Sequence, residues 1–321
     1  RLGGEVDTGT TYDGDVLLRV HQPKLAGLVG GRTASALSRL VAVGLAPPRR
    51  AVYLNWPAVG HVLVAGLPDG GVETTLTSLV CALAARSRPE ALHVYTVASR
   101  RALPPQLFQL PHQIESAEPT DSVAVEALLE RLQAEALRRM NASSSSGEAE
   151  DLPQLVLLVH DLAELQDSPA LETISIHGPA QGVQILAGST QLETVSDATL
   201  AVFPTRVALQ MVDEDLSIRL LSDTVPADLG RGRLMVRIDG RWPLELQGFR
   251  VSAERLDELL TVMGDAYGRG EIGKRDAVED VEADPEPDGT SGGDGIPRGE
   301  ADEPEDMVED EHGLIEEDEA V

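Results

Sequence analysis

The chain has 321 residues, a length that allows about two domains. Apolar residues make up 42% and aromatic residues only 3%, so leucine, valine and alanine must fill the core. The single cysteine, Cys81, excludes an internal disulfide framework and a multi-cysteine zinc site, and we predict no metal site. No apolar run reaches the ~18 residues that a membrane-spanning helix requires.

The net charge is −28 and it is unevenly distributed. Residues 272–321 hold 20 acidic and three basic side chains, which leaves −11 for the rest of the chain. This balance disfavours broad nucleic-acid binding, because a phosphate backbone requires a basic face, although a local basic patch or a central pore could still bind DNA. Residues 268–321 have too few apolar residues and too much like charge to fold alone, so we expect a disordered acidic tail.

Residues 1–50 are polar with short apolar pieces, and we assign them to a small N-terminal segment. Asp15–Val20 is typical of a strand. The spacing of apolar residues predicts a short amphipathic helix over residues 33–43, and Pro47-Pro48 then closes the segment.

From residue 51 strands and helices alternate. Strands are predicted at residues 51–54, 61–65, 92–97, 155–159, 182–187 and 206–211, followed by a hairpin of residues 234–238 and 244–248. Helices are predicted at residues 73–86, 122–140 and 253–263, with a flexible loop at 141–151. The alternation predicts an α/β domain over residues 51–267, with a mostly parallel sheet flanked by helices.

The strand at residues 61–65 runs into a glycine-rich turn, which opens a helix. Backbone N–H groups and a helix N-terminus can cradle phosphate in this layout. A phosphate-binding loop requires Gly, four residues, Gly, Lys and then Ser or Thr, and Gly66 and Gly71 have that spacing. The candidate nucleotide-binding residues are Gly66, Leu67, Pro68, Asp69, Gly70, Gly71, Val72, Glu73 and Thr74.

Two side chains of this signature are replaced. Val72 stands where a lysine neutralises the β- and γ-phosphates, and Glu73 stands where a hydroxyl binds magnesium. Thr74 offers a hydroxyl one residue late, on another face of the helix. The chain has only two lysines, Lys24 and Lys274, so no nearby lysine compensates. The loop is either an impaired nucleotide site or a tight turn kept for its backbone geometry.

A second match to the spacing, from Gly268 to Arg275, follows a helix instead of a strand. It also has Arg275 at the hydroxyl position. We interpret it as a chance match.

The apolar strand at residues 155–159 ends in His160 and Asp161. A strand that ends in two acidic residues is typical of a Walker B motif, which holds magnesium and activates water. His160 replaces the first acid, so the carboxylate on the magnesium side is missing. Asp161 remains a candidate catalytic carboxylate, and the alternative interpretation is an ordinary strand end.

Taken in chain order, the glycine-rich loop, the strand that ends in His160 and Asp161, and several later segments resemble the motor domain of the FtsK/SpoIIIE/HerA group of RecA-like P-loop ATPases. The members of this group are double-stranded DNA translocases. The resemblance covers about residues 61–260, with degenerate Walker A and Walker B motifs. The further matching segments are Gly182–Ala187 with Thr190 and Gln191 after it, Pro204–Leu209, Asp215–Ser217, Leu229–Met235 and Gln247–Ser252.

The resemblance implies a RecA-like P-loop NTPase fold, hexameric rings, ATP and magnesium as cofactors, and DNA in a central channel. It assigns Thr190 and Gln191 to the polar sensor, and it suggests that residues 1–50 are a remnant of the small domain that precedes the motor. The departures at Val72, Glu73 and His160 imply that ATP and magnesium could be lost here.

Four arginines near the end of the domain are weighed separately. The resemblance makes Arg206 and Arg219 candidates for trans-acting groups at a neighbouring subunit's nucleotide, although each could equally be a surface ion-pair partner. Arg231 and Arg233 flank Gly232 in a predicted turn and are interpreted as solvated residues without a role.

Three functions follow from these observations. The first is a degenerate, non-hydrolysing module, which acts as a structural or regulatory part of a ring or of a multi-module ATPase. The second is an ATP-dependent double-stranded DNA translocase, or a type VII secretion-like ATPase, with atypical nucleotide motifs. The third is a binding module whose acidic tail is the active part, although we favour a tail that merely solubilises.

The expected partners are copies of the chain itself or homologous motor subunits. The sequence begins with Arg1 instead of Met, which suggests either a trimmed chain or the C-terminal part of a longer protein. We therefore expect a cytoplasmic module, tethered to a membrane only if a segment before Arg1 provides the anchor.

Overall fold

A computed structural model of the protein describes residues 40–267, apart from gaps at residues 48–49, 146–151, 166–167, 225–226, 228 and 239–240. The predicted strand at residues 15–20, the second glycine–lysine match and the acidic tail lie outside the described residues. The division into residues 1–50, 51–267 and 268–321 therefore stays a prediction.

One sheet of ten strands runs through the described residues. In chain order the strands are β1 (Leu40–Ala46), β2 (Arg50–Asn55), β3 (Val62–Ala65), β4 (Leu92–Val97), β5 (Gln113–Ala117), β6 (Gln154–Val159), β7 (Val183–Ser189), β8 (Thr205–Ala208), β9 (Arg233–Ile238) and β10 (Leu244–Gly248). Their order across the sheet is β2-β1-β10-β9-β8-β3-β7-β6-β4-β5.

The sheet has a parallel part and an antiparallel part. The six strands from β8 to β5 are parallel to their neighbours, whereas β9, β10, β1 and β2 extend the sheet in antiparallel fashion. Ala65 at the end of β3 pairs with Ser189 of β7, and Val159 at the end of β6 pairs with Ala187 of β7. The carboxyl ends of β3, β6 and β7 thus meet at one edge, which is where open α/β sheets bind ligands.

Six α-helices lie among the described residues. They are α1 (Val72–Ala84), α2 (Ser122–Ser145), α3 (Pro169–His177), α4 (Asp197–Ala201), α5 (Glu214–Leu221) and α6 (Ala253–Tyr267). Ser168, Ser196 and Asp213 cap the N-termini of α3, α4 and α5, because each side chain accepts a bond from a backbone N–H of the first turn.

The core has two layers, one on each face of the sheet. Successive side chains of a strand point to opposite faces, so Val62 and Val64 of β3 join one layer while Leu63 and Ala65 join the other. The first layer includes side chains of α1 and α6, and the second includes side chains of α2, α3 and α5. Each fully buried leucine or valine contributes about 1.5–3 kcal/mol relative to an exposed one.

Two sequence predictions are wrong. Residues 40–43, predicted as the end of a helix, begin strand β1, and the rest of that predicted helix lies outside the described residues. The strand lies between β2 and β10 and is almost wholly buried, so its apolar run lacks the alternation that identifies a half-exposed strand. Residues 141–145, predicted as loop, continue helix α2.

The two tryptophans have opposite surroundings. Trp56, in the short turn after β2, is 0% exposed, whereas Trp242, between β9 and β10, is 90% exposed.

In the described part of the chain, no helix combines the length and apolar character needed to cross a membrane.

Candidate functional site

The glycine-rich loop after β3 is anchored to both neighbouring strands. The N–H of Gly66 donates to the carbonyl of Ser189 (3.2 Å), and the N–H of Leu67 donates to that of Gln210 (2.8 Å). A Cβ at Gly66 would lie 2.8 Å from the Cβ of Leu209, so a side chain at Gly66 would force the loop away from β8.

The loop ends in a turn that favours glycine. Gly71, the N-cap of α1, has a φ of 105°, in the region that side chains with a Cβ avoid. It provides no side-chain cap, and the first N–H groups of an α-helix have no acceptor within the helix. The turn thus has the backbone layout of a phosphate-binding loop, and the nucleotide-binding role of residues 66–74 stays a prediction.

Val72 does not extend into the loop. Its side chain is 0% exposed and belongs to the core layer of α1. Its Cγ1 would lie 2.9 Å from a Cβ at Gly188 in β7. The residue at the lysine position therefore contributes packing and no charge.

Glu73 and His160 face each other across the site. The Nε2 atom of His160, at the end of β6, lies 3.4 Å from Oε1 of Glu73, in the first turn of α1. Both side chains are partly exposed, at 19% for His160 and 32% for Glu73. The hydrogen bond from His160 is the main cause of a lowered pKa at Glu73 and outweighs the opposing effect of burial. Glu73 is therefore held as a carboxylate.

This pair occupies the positions that hold magnesium in P-loop NTPases, namely the hydroxyl of the loop and the Walker B acid. Magnesium prefers an octahedral set of oxygen ligands, and imidazole is not among its usual partners. Among the described residues, no group of three His, Cys, Asp or Glu side chains could hold a metal ion by itself. His160 therefore replaces one of the two usual oxygen ligands, while Glu73 still offers a carboxylate.

Asp161 and Thr190 are brought together, as the parallel strands require. One carboxylate oxygen of Asp161 accepts from the N–H of Ala163 (3.1 Å), and the other accepts from the hydroxyl of Thr190 (3.4 Å). The catalytic and sensor candidates therefore share a hydrogen bond. Gln191, the second sensor candidate, is exposed.

Arg206 and Arg219 are held by carbonyl groups of their own chain. Arg206 donates to the carbonyls of Leu200 (2.7 Å), Phe203 (3.0 Å) and Leu220 (3.0 Å). Arg219 donates to the carbonyl of Leu192 and, in a shorter contact, to that of Val195, and it forms an ion pair with Asp197. A role at a neighbouring subunit's nucleotide would require release of these bonds, and it stays a prediction.

Replacing Arg206 with methionine should lower the free energy of unfolding by about 2 kcal/mol, because three carbonyls lose a charged donor while much of the apolar stem remains. Urea denaturation measures the change. Arg241→Met is the control, since Arg241 is exposed and its substitution should cost less than ~0.5 kcal/mol. Equal losses in the two variants would show that the bonds of Arg206 contribute nothing to stability.

A cavity of about 630 Å³ lies against the loop. Its walls are residues 67–71 of the loop, the first turns of α1, the end of β8, the turn before β9, and the end of β10. The turn before β9 contributes Arg231, and the residues after β10 contribute Phe249 and Arg250. The sequence analysis assigned no role to Arg231 or to Arg250, because only the pairing of β9 with β10 brings the two arginines to one cavity.

A family model described as the FtsK/SpoIIIE family matches residues 38–242. Among curated proteins, the DNA translocase FtsK of Streptococcus agalactiae serotype V (strain ATCC BAA-611 / 2603 V/R) is 22% identical over 306 residues. The alignment covers 86% of this chain and 36% of that protein, so the chain spans little more than a third of its curated relative.

Several solved structures share the fold. The conjugation coupling protein TcpA of pCW3, with ATPγS, has a TM-score of 0.60 at 18% identity and covers 70% of each chain. The cytoplasmic domain of the Thermomonospora curvata type VII secretion ATPase EccC has a TM-score of 0.62 at 18% identity, over 78% of this chain and 34% of that one. ATPases 2 and 3 of EssC from Geobacillus thermodenitrificans have a TM-score of 0.62 at 16% identity, over 71% and 49%. The predicted RecA-like P-loop fold is confirmed.

Proposed function

Because the chain belongs to the FtsK/SpoIIIE family, we propose that it is a motor-type module that does not hydrolyse ATP and that acts as a structural or regulatory part of a larger ATPase assembly. The observation that carries this proposal is the contact between Glu73 and His160. It joins two side chains of the protein at the point where an active module holds its magnesium ion.

The chemistry of three positions supports the proposal. Val72 is buried and uncharged, so the loop lacks the cation that stabilises the β- and γ-phosphates. The ionised carboxylate of Glu73 repels the charge that develops on a transferred phosphoryl group. His160 leaves Asp161 without a second acid beside it. Phosphoryl transfer depends on positioning and on charge stabilisation, and all three changes act against these requirements.

The lengths of the proteins that share this fold support the proposal of a larger assembly. The chain covers 49% of an EssC chain that contains two ATPases, which is the size expected of one module in a tandem array. We propose that this module likewise works beside other motor modules, as a ring subunit or as one part of a longer chain. The same arrangement would account for its 36% coverage of the FtsK relative.

The second candidate is an ATP-dependent double-stranded DNA translocase with atypical motifs, or a secretion ATPase of the type VII kind. It is favoured by the similarity to a protein that is itself a DNA translocase. A partner subunit would then have to supply the positive charge that the loop lacks. The net charge of −11 outside residues 272–321 opposes contact with duplex DNA.

Phosphate release from Mg-ATP separates the two candidates. We expect no turnover by the purified chain above a no-protein blank, with or without duplex DNA, because the loop lacks the phosphate-neutralising lysine and the hydroxyl at the position that usually binds magnesium. The matched control is Asp161→Asn, which removes the remaining candidate catalytic carboxylate. Magnesium-dependent turnover that Asp161→Asn abolishes would refute the proposal, and stimulation of that turnover by DNA would establish the translocase.

A further inference from the structure

We propose that the end of the β9–β10 hairpin, formed by Arg241, Trp242 and Leu244, docks on the exposed face of helix α6 in a second copy of the chain. The inference deepens the proposed function, because it names the surface by which one module would meet another. It requires no nucleotide, since the hairpin end lies away from the glycine-rich loop.

The hairpin end lies at the edge of the sheet opposite the glycine-rich loop. Ile238, the last residue of β9, pairs with Thr205 at the start of β8, and Thr205 pairs with Val62 at the start of β3. The glycine-rich loop instead follows Ala65, the last residue of β3. A partner bound at the hairpin end therefore need not contact the loop, and its binding should not depend on Mg-ATP.

The apolar side chains near the start of β10 become more exposed towards the hairpin end. Leu246 is buried in the core layer of α1 and α6, whereas Leu244 is 45% and Trp242 is 90% exposed. Leu244 and Leu246 share a face, because alternate side chains of a strand point to the same side. The apolar face thus extends past the buried core and reaches a tryptophan, a residue type that often dominates the binding energy of protein interfaces.

The hairpin end is also basic, in a chain whose net charge is −28. Arg241, next to Trp242, is exposed. Residues 237–244 carry two arginines and one acid. Interfaces place complementary charges opposite each other. An exposed tryptophan beside an arginine therefore favours a partner surface that combines apolar and acidic side chains.

The exposed face of α6 offers this combination. Glu258, Val262 and Asp265 have the spacing i, i+4 and i+7, so they form one stripe along the helix. Val262 is 55% exposed, and both acids are exposed. Glu258 forms an ion pair with Arg255 of its own helix (2.6 Å), whereas Asp265 has no ion-pair partner among the described residues. Asp265 is therefore the acid that we expect to meet Arg241 of the other copy.

A second copy of the chain carries both surfaces, so one copy can bind another without a further protein. A tryptophan buries about 150–250 Å², and a contact centred on one tryptophan is smaller than the ~1,200 Å² of a stable complex. We therefore expect weak association, with a dissociation constant on the order of 100 µM. Weak contacts suit modules that are tethered in one assembly, where effective concentrations reach about the millimolar range.

Sedimentation equilibrium of the intact chain, from about 10 to about 500 µM, tests the inference. We expect self-association with the same dissociation constant in the presence and absence of Mg-ATP. Trp242→Ser should weaken it at least about tenfold and Val262→Ser about fivefold, because each removes an apolar side chain from the contact. Val123→Ser is the matched control, since Val123 is 78% exposed but lies on α2, outside both surfaces.

A charge exchange tests whether α6 receives the hairpin end. Arg241→Glu should weaken association by about tenfold, because the new carboxylate meets the acids of α6, and adding Asp265→Arg to the same chain should restore most of the loss. All the substituted residues are exposed, so unchanged circular-dichroism spectra should show that the variants fold.

The inference fails if the chain stays monomeric up to about 500 µM or associates only with Mg-ATP. It also fails if Trp242→Ser associates like Val123→Ser, or if Asp265→Arg restores nothing to Arg241→Glu. Phosphate release in the same samples tests the proposed function separately, since turnover would refute that function and leave the association result intact.

Discussion

Replacing Gly188 with alanine is expected to lower the free energy of unfolding by about 4 kcal/mol. Gly188 lies in the central strand β7, directly beneath the start of α1. A Cβ there would overlap the carbonyl oxygen of His160 and would lie 2.9 Å from side-chain atoms of Leu76 and Val72. Backbone and core side chains surround the position, so the added methyl group has no direction in which to relax.

Urea denaturation monitored by circular dichroism measures this loss. The matched control is Gly230→Ala, because a Cβ at Gly230 would meet no atom within 4 Å. Its effect should stay within ~0.5 kcal/mol. A Gly188→Ala protein as stable as Gly230→Ala would mean that β7 and α1 are less closely packed than described.

Acid should destabilise the protein through His61, by about 3 kcal/mol between pH 6.5 and pH 4. His61 is 0% exposed, and burial is the main cause that lowers its pKa to about 4. Its Nε2–H donates to the carbonyl of Ser175, while its Nδ1 accepts from the N–H of Ile185. Protonation of Nδ1 would place two donors face to face in the core.

The pKa values of His61 in the unfolded and in the folded chain explain why acid lowers the stability of the protein. The unfolded chain takes up a proton below about pH 6.5, whereas the folded chain takes it up only near pH 4. The unfolded state binds more protons between these values, so the stability from the neutral imidazole is complete above pH 6.5 and disappears as the pH falls towards 4.

Urea titrations from pH 7.5 to pH 4.5 measure the effect. His61→Asn retains an acceptor near the N–H of Ile185 and should flatten the profile, whatever its stability at neutral pH. The buried His112, whose pKa burial also lowers, leaves a residual slope of the same sign. An unaltered slope in His61→Asn would contradict the assignment.

Strands with a continuous apolar pattern are the elements that the sequence predicts best. The strands at residues 61–65, 92–97 and 155–159 are found within one residue, since short buried runs bounded by turns are typical of parallel sheets. Strand β5 is missed because Gln113–Ala117 is a polar edge strand, and helices α3 and α5 are missed because both are short. Such elements form through contacts with the rest of the fold more than through their own periodicity.

The candidate site, like the fold, could be predicted from the sequence only in part. The loop can be located because Gly66 and Gly71 are close in sequence and have a required spacing. The contact between Glu73 and His160 joins residues 87 positions apart, and no local pattern encodes its distance. The hydrogen bonds of Arg206 could not be predicted either, because their acceptors are backbone carbonyls, which every residue has.

The unlike surroundings of Trp56 and Trp242 give the protein two separable optical signals. Emission from the buried indole of Trp56 reports on the integrity of the sheet edge formed by β1 and β2, and dissolved iodide cannot reach it while that edge is folded. The indole of Trp242 is open to iodide and reports on whatever covers the connection between β9 and β10. Global unfolding and coverage of that one connection can thus be followed in the same cuvette, without a label.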